Sequence, residues 1–178
     1  MRTIEPIAKF DLAFSLFCLQ HKFTQPVSKL SRIVSHTGDG HLYALIGLLA
    51  WWFDGQVGKL FLAAGLLAFV IELPIYWLLK NVFKRRRPQE LSVLIPSFIT
   101  PYDRYSLPSG HTAAAFVMAT LIGQFYPSFE LVALTWATMI AMSRLLLGVH
   151  FLSDVLLGAC LGFSCANAAV QWLGSNAL

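Results

Sequence analysis

The sequence has few charged residues for its length. Only 12% of its 178 residues are Asp, Glu, Lys or Arg, whereas 57% are hydrophobic. Because a soluble domain carries about 25% charged residues, this chain has too little polar surface to coat a water-soluble globule. The composition therefore excludes a disordered chain, a soluble nucleic-acid-binding protein and most cytosolic enzymes. It indicates a protein that crosses a membrane several times.

Cysteine is also scarce, and the odd number of three residues cannot pair completely within one chain. We interpret Cys18, Cys160 and Cys165 as small apolar side chains. The N-terminal residues lack the uninterrupted apolar stretch and small-residue cleavage site of a secretory signal peptide. The sequence therefore predicts neither a disulfide framework nor a cleaved leader.

Five apolar segments are candidates for membrane-crossing helices, namely residues 41–53, 60–83, 111–126, 129–149 and 154–173. A bilayer core takes roughly 17–25 apolar residues per helix, and the two short segments need other helices around their ends. Residues 6–20 are apolar on one side and predict an amphipathic interfacial helix, with a sixth crossing as the alternative. We therefore predict one domain over 1–178, an all-α polytopic membrane bundle with an interfacial segment over 1–34 and a catalytic helical core over 35–173.

Polar and ionisable groups gather at one end of this predicted bundle. With five crossings, the starts of the first, third and fifth helices share a face with the ends of the second and fourth. We call this the first face. Ionisable groups near membrane depth are costly, and those that occur are usually functional. Three clusters of polar residues map to the first face, at residues 80–88, 108–111 and 143–154.

The first cluster is a run of cations at the end of the second crossing. On a continuous helix, Lys80, Lys84 and Arg87 share one side, and Pro88 takes the preceding residue out of helical geometry. Seen alone, the run is typical of a helix end that stops transfer across a membrane. We expect the further cations to meet lipid headgroups, with a place beside the entry of the substrate as the alternative; these cations are Arg85, Arg86 and Arg104.

The second cluster, Pro108-Ser109-Gly110-His111, opens the third crossing. Ser109 is a favourable N-cap, and Gly110 allows a ligand to approach the backbone closely. The free N–H groups of a first helical turn favour an anion such as phosphate. Seen alone, this cluster is typical of an ordinary capped helix start.

The third cluster combines a cation inside a crossing with a His–Asp pair. His150 and Asp154 are four residues apart, so the carboxylate can hold one imidazole nitrogen and leave the other free as a nucleophile. Arg144 needs an anionic partner at this depth, and a purely structural role for all three residues is the alternative. Together, the three clusters predict a site for a phosphoryl-like oxyanion, in which fixed cations stabilise charge in place of a metal ion.

The clusters form three ordered motifs: Lys-x6-Arg-Pro at 80–88, Pro-Ser-Gly-His at 108–111 and Ser-Arg-x5-His-x3-Asp at 143–154. In this they resemble the type 2 phosphatidic acid phosphatase family, which also includes vanadium haloperoxidases. The resemblance covers residues 35–173. It implies a cofactor-free membrane phosphatase acting on a lipid phosphomonoester or diphosphate. Candidate substrates are phosphatidic acid, phosphatidylglycerol phosphate, a prenyl phosphate or diphosphate, and a lipid A phosphate.

The resemblance also implies a role for each motif residue. His150 attacks phosphorus and forms a phosphohistidine, and Asp154 orients His150. His111 protonates the leaving alkoxide and then helps to activate water. The residues implied to bind phosphate oxygens are Lys80, Arg87, Ser109, Gly110 and Arg144. No metal is part of this expectation.

Other functions require similar residues. A lipid-to-lipid phosphotransferase differs only in that an acceptor hydroxyl excludes water. A vanadate-dependent haloperoxidase shares the oxyanion site but needs a small soluble substrate, which the apolar crossings disfavour. A non-enzymatic membrane module would only bind anionic headgroups. The expected partners are a lipid phosphate and membrane lipids, without nucleic acid, and the sequence gives no oligomeric state.

The side of the membrane that the first face occupies stays open. This face holds twelve of the thirteen Lys and Arg residues, and the opposite face holds Lys59. The positive-inside rule then places the first face in the cytoplasm. Bacterial members of the family commonly have a periplasmic site, which needs an extra crossing near residues 6–20. We expect a multi-pass protein of a bacterial inner membrane.

Some polar residues are left out of the predicted site. His36, Asp39 and His41 are interpreted as a glycine-rich turn into the first crossing rather than as a metal site. Glu72 is interpreted as a structural carboxyl beside the Pro74 kink.

Overall fold

The computed structural model of the protein describes residues 5–20, 24–92 and 94–176, which are mostly helical. Arg2 and Lys22, two cations counted on the first face, lie outside these ranges. The helices are α1 (Glu5–Leu19), α2 (Thr24–His36), α3 (His41–Phe53), α4 (Gly55–Phe83), α5 (Pro88–Leu91), α6 (Gly110–Phe125), α7 (Glu130–Leu146) and α8 (Leu152–Asn176). A 3-10 turn at Pro127–Phe129 precedes α7. The predicted all-α class is confirmed, since no strand occurs in the described ranges.

Three segments are long and apolar enough to cross a membrane: Gly55–Leu91, Pro127–Leu146 and Leu152–Ser175. They contain α4, α7 and α8, so the protein is an integral membrane protein. The other two predicted crossings correspond to α3, a shorter apolar helix of 13 residues, and to α6, which has 16 residues.

The end of α4 corrects one sequence-based expectation. The helix stops at Phe83, because Lys84 adopts a left-handed conformation with φ 46° and its N–H bonds to the Lys80 carbonyl. Arg87 is extended, with φ −81° and ψ 159°, as expected for the residue before Pro88. Lys84 and Arg87 therefore do not continue the helical side of Lys80. The extended chain turns Arg87 inward, and Lys84 remains exposed.

Helix α6 lies at the centre of the bundle, against α4, α7 and α8. Its contact with α8 is close because small residues line it. A Cβ atom on Gly162 would lie 2.1 Å from the carbonyl oxygen of Ala113, so only glycine fits there. Close approach through small residues is a usual way for membrane helices to pack. This packing fixes the starts of α6 and α8 side by side.

Candidate active site

Hydrogen bonds join the three motifs at the first face. The Ser109 N–H donates to the carbonyl of Asp154 at 3.0 Å, which ties the start of α6 to the start of α8. Arg87 Nη1 donates to the carbonyl of Val149 at 2.6 Å, which ties the end of the cationic run to the residue before His150. Residues separated by up to 74 positions in the sequence therefore meet in one region.

A cavity of about 690 Å³ opens in this region. The predicted site residues that line it are Arg87, Gly110, His111, Arg144 and His150. Its other wall is apolar and comes from α3 and α4, with Gly47, Phe61, Leu62, Gly65, Leu66 and Phe69. Lys80, Ser109 and Asp154 do not line the cavity but support residues that do. The cavity thus joins a charged end to an apolar end.

Asp103 occupies the space between the two cations of the first motif. Its Oδ2 accepts a hydrogen bond from Lys80 Nζ at 2.6 Å and another from the Tyr76 hydroxyl at 2.6 Å. Arg87 Nη2 pairs with Asp103 Oδ1. Burial alone would raise the pKa of Asp103, but the hydrogen bonds from Lys80 and Tyr76 outweigh it and hold the pKa below its usual value. Sequence analysis missed both Asp103 and Tyr76, because neither belongs to a motif.

Ser109 and Gly110 shape the start of α6. Ser109 is the N-cap residue, as predicted, but its hydroxyl accepts a hydrogen bond from the Thr112 hydroxyl at 2.9 Å instead of capping a backbone N–H. A Cβ atom on Gly110 would lie 2.9 Å from a ring carbon of Tyr76. Glycine is therefore required here so that Tyr76 can reach Asp103.

His150 lies in the short turn between α7 and α8. Gly148 makes this turn in the left-handed region with φ 72°, and a Cβ atom there would lie 2.0 Å from the carbonyl oxygen of Pro96. The His150 side chain is 3% exposed, and its Nδ1 is 3.6 Å from Asp154 Oδ2. That distance is longer than a hydrogen bond. The residues are adjacent as predicted, but His150 precedes α8, so helical spacing is not the reason.

The protonation of His150 follows from its surroundings. Burial disfavours the imidazolium and lowers the pKa of His150 to about 4, while Asp154 acts in the opposite direction. Arg144 and Arg87 add to the lowering. His150 is therefore neutral at physiological pH and has a lone pair available for attack on an electrophile.

Asp154 is held by Arg85, which corrects the expectation that Arg85 meets lipid headgroups. Arg85 Nη1 donates to Asp154 Oδ1 at 2.6 Å, and its Nη2 donates to Asp11 Oδ2 at 2.6 Å. The guanidinium carbon also lies 4.3 Å from the centre of the Phe151 ring. The second carboxylate oxygen of Asp154 accepts the Phe151 N–H at 2.8 Å. Arg85 thus links α1 to the carboxylate behind His150, whereas Arg86 and Arg104 are exposed.

Arg144 is 4% exposed and has spare hydrogen-bonding capacity. Its Nη1 donates to the Ser35 hydroxyl at the end of α2. Its Nε is buried and has no hydrogen-bond partner in the part of the chain that the structure describes. No carboxylate of the described residues forms an ion pair with Arg144 by direct contact. An oxyanion in the cavity would supply the missing acceptor.

His111 binds a carboxylate that the sequence analysis assigned to a turn. His111 Nε2 lies 2.7 Å from Asp39 Oδ1, and Asp39 Oδ2 lies 2.5 Å from His36 Nδ1. His41 is exposed. No group of three or more metal-ligating side chains occurs among the residues that the structure describes. The glycine-rich turn is present, and its Asp39 reaches across to α6.

The sequence matches the model of the PAP2 superfamily over residues 56–177. It is 34% identical over 151 residues to the decaprenylphosphoryl-5-phosphoribose phosphatase of Mycobacterium tuberculosis, a match that covers 83% of this chain and 78% of that protein. It is 30% identical over 141 residues to a probable lipid phosphate phosphatase beta of Arabidopsis thaliana, covering 64% of this chain and 66% of that protein.

Two solved structures share the fold. A transmembrane PAP2-type phosphatidylglycerolphosphate phosphatase from Bacillus subtilis superposes with a TM-score of 0.74 at 23% identity, covering 96% of this chain and 87% of the other. Aquifex aeolicus LpxE superposes with a TM-score of 0.72 at 26% identity, covering 90% of this chain and 94% of the other.

The protein is an integral membrane helical bundle, and its relatives are named as phosphatases. The protein is therefore a phosphatase. The chain belongs to the PAP2 superfamily, and this confirms the resemblance drawn from the three motifs.

Proposed function

We propose that the protein is a lipid phosphatase that hydrolyses a phosphomonoester or diphosphate at the charged end of its cavity. The observation that carries the proposal is the continuity of the cavity, in which Arg87, Arg144 and His150 share one space with an apolar wall. A phosphate ester with an acyl or prenyl tail matches both ends at once. The relatives named as prenyl-phosphoryl and phosphatidylglycerolphosphate phosphatases support a substrate of this class.

In the first step, the neutral His150 attacks phosphorus through Nε2. The N–P bond forms, the P–O bond to the lipid breaks, and His111 gives its proton to the leaving alkoxide. Because His150 Nδ1 lies toward Asp154, the carboxylate stabilises the positive charge that develops on the ring. We expect the 3.6 Å separation between them to shorten to a hydrogen bond when substrate is bound, since such contacts are often long without ligand.

In the second step, water attacks the phosphohistidine. His111 takes a proton from this water, the N–P bond breaks, and phosphate leaves, so both histidines return to their starting states. Arg87, Arg144 and the N–H of Gly110 stabilise the charge on the transferring group. Lys80 and Ser109 do not line the cavity and act from behind the phosphate site, Lys80 through Asp103 and Ser109 through the start of α6. Fixed cations perform the task that Mg²⁺ performs in other phosphoryl transfers, and the proposed reaction requires no metal.

The proposed membrane arrangement has five crossings, formed by α3, α4, α6, α7 and α8. α6 is short for a crossing, but α4, α7 and α8 surround it, so little of it meets lipid. The whole chain, 1–178, then forms one catalytic domain, with α1 and α2 against the first face. We assign it to a bacterial inner membrane and leave the side of the catalytic face undecided.

A phosphate-release assay on the purified protein tests the function. We expect release from at least one lipid in a panel of phosphatidic acid, phosphatidylglycerol phosphate and prenyl diphosphate. Release persists in EDTA and is inhibited by orthovanadate. His150→Ala abolishes release while the melting temperature stays near that of the wild type. Wild-type rates in His150→Ala would contradict the nucleophile assignment. Transfer of labelled phosphate to a second lipid rather than to water would favour a phosphotransferase.

A further inference from the structure

The pair formed by Asp39 and His111 connects two elements that are far apart in sequence. Asp39 lies in the turn before α3, and His111 is the second residue of α6. Their contact, Oδ1 to Nε2 at 2.7 Å, has the length of a strong charge-assisted hydrogen bond. Both side chains are 19% exposed and both line the cavity. The carboxylate is therefore at the site rather than on the outer surface.

From this geometry we infer that Asp39 is a positioning residue for His111, which it holds as the acid of the reaction. The inference rests on the proposed function, because it assigns to His111 the protonation of the leaving alkoxide. A carboxylate on Nε2 fixes the orientation of the ring and leaves Nδ1 as the nitrogen that exchanges protons with the substrate. The site then contains two His–Asp pairs, one for the nucleophile and one for the acid.

The charge of Asp39 also favours the protonated form of His111, which is the form that donates a proton. Asp103 lines the same cavity as Asp39 and His111. Of these two carboxylates, Asp103 is paired with Lys80 and Arg87. Asp39 is the carboxylate in direct contact with the ring.

The second partner of Asp39 provides a matched control. His36 Nδ1 contacts the other oxygen of Asp39 at 2.5 Å, and the His36 side chain is 78% exposed. His36→Gln removes an imidazole from the same carboxylate without touching His111. A role confined to packing the turn would make His36→Gln and Asp39→Asn similar in effect. If Asp39 acts through His111, Asp39→Asn changes the activity and His36→Gln does not.

The test compares a lipid phosphate with p-nitrophenyl phosphate, whose leaving group needs little protonation. Asp39→Ala is expected to lower kcat on the lipid roughly 100-fold, within the range that general acid catalysis contributes. KM changes little, and His36→Gln keeps the wild-type kcat. In a single turnover, release of the leaving group precedes the attack of water, and for this step the loss with p-nitrophenyl phosphate is far smaller than the loss with the lipid. Asp39→Asn keeps the size of the side chain and tests the charge alone. Asp39→Asn is expected to shift the alkaline limb of the kcat–pH profile, where the general acid loses its proton, to lower pH.

A double-mutant cycle completes the test. Because Asp39 acts through His111, Asp39→Ala adds little further loss of kcat in a His111→Ala background. Equal losses of leaving-group release on both substrates, or independent losses in the double variant, would overturn the inference while the wild type remained an active lipid phosphatase. Failure of the proposed function has a different signature, since the wild-type protein would then release no phosphate from any lipid.

Discussion

Asp103 places a carboxylate oxygen 2.6 Å from the ammonium nitrogen of Lys80, inside the site proposed for phosphate. Arg87 holds the other oxygen of the same carboxylate. Two cations that the motif assigns to a phosphate group thus share one carboxylate from the connection between α5 and α6, which offsets one of their two positive charges. Because its pKa is held below the usual value, Asp103 is ionised at neutral pH and competes with an incoming phosphate.

The first prediction concerns this competition. Asp103→Asn removes the negative charge, so orthovanadate and phosphate are expected to bind more tightly. A tenfold tighter Kd corresponds to about 1.4 kcal/mol, which is a reasonable size for one such charge. Inhibition constants for orthovanadate in the phosphate-release assay measure the change. Glu90→Gln is the matched control, because Glu90 is exposed and the substitution alters net charge equally. Weaker binding by Asp103→Asn would instead show that the carboxylate keeps Lys80 and Arg87 in place.

The second prediction is a pH dependence of stability caused by His150. Burial lowers its pKa in the folded protein to about 4 from an ordinary value of 6.5. Between these values the unfolded chain binds a proton that the folded protein does not, so stability falls as pH decreases from 6.5 to 4. The slope of the unfolding free energy against pH is proportional to the number of protons taken up on unfolding. In His150→Gln that number is smaller by up to one. Melting temperatures in detergent across this pH range test it, and an unchanged slope in the variant would contradict it.

Most helix positions could be predicted because long apolar runs are bounded by polar turns. The helix at 41–53 lies between Gly40 and Asp54, and its predicted limits agree with the structure. The ends of charged segments were harder to predict. The prediction that Lys80 and Arg87 share one side required a continuous helix, whereas the chain leaves helical geometry at Lys84.

The motif residues could be found from the sequence, but their charged partners could not. Asp103, Asp39 and Arg85 lie in turns or connections without periodicity, so no pattern marks them. Their contacts with the charged residues of the site join positions 16 to 74 residues apart, such as Arg87 with Asp103 and Arg85 with Asp11. Only the packing of the helix ends brings such residues together. The position of Arg144 inside a predicted crossing indicated that it needs an anionic partner. The sequence could not show that Asp39, Asp103 and Asp154 are each paired with other residues.

The third prediction concerns the apolar end of the cavity. Gly65 lines it, and a Cβ atom there would make only an ordinary contact of 3.7 Å with Leu121. Gly65→Phe is therefore expected to fold and to place its ring in the space proposed for the lipid tail. Release of phosphate from a long-chain lipid falls, whereas hydrolysis of p-nitrophenyl phosphate persists.

Leu78→Phe is the control for this substitution, because Leu78 is on the same helix, 55% exposed and away from the cavity. It is expected to leave both activities near those of the wild type. Unchanged activity of Gly65→Phe on long-chain lipids would mean that the tail lies outside the cavity.

The fourth prediction separates two adjacent arginines. Arg85 bridges Asp11 and Asp154, whose side chains are 1% and 0% exposed. Arg85→Met leaves two buried carboxylates without their cation, and breaking such a pair costs roughly 3–5 kcal/mol. A large drop in melting temperature is expected, together with a loss of kcat because Asp154 no longer has a fixed position behind His150.

Arg86→Met removes the same charge one residue away, where the side chain is exposed. Charges at such positions contribute little to stability, about 0–1 kcal/mol, so the melting temperature should stay near that of the wild type. Asp11→Asn tests the α1 side of the bridge, because it leaves Arg85 free to hold Asp154. This variant is expected to lose stability but to keep most of its kcat. If Arg85→Met behaved like Arg86→Met in both measurements, Arg85 would not support the catalytic carboxylate.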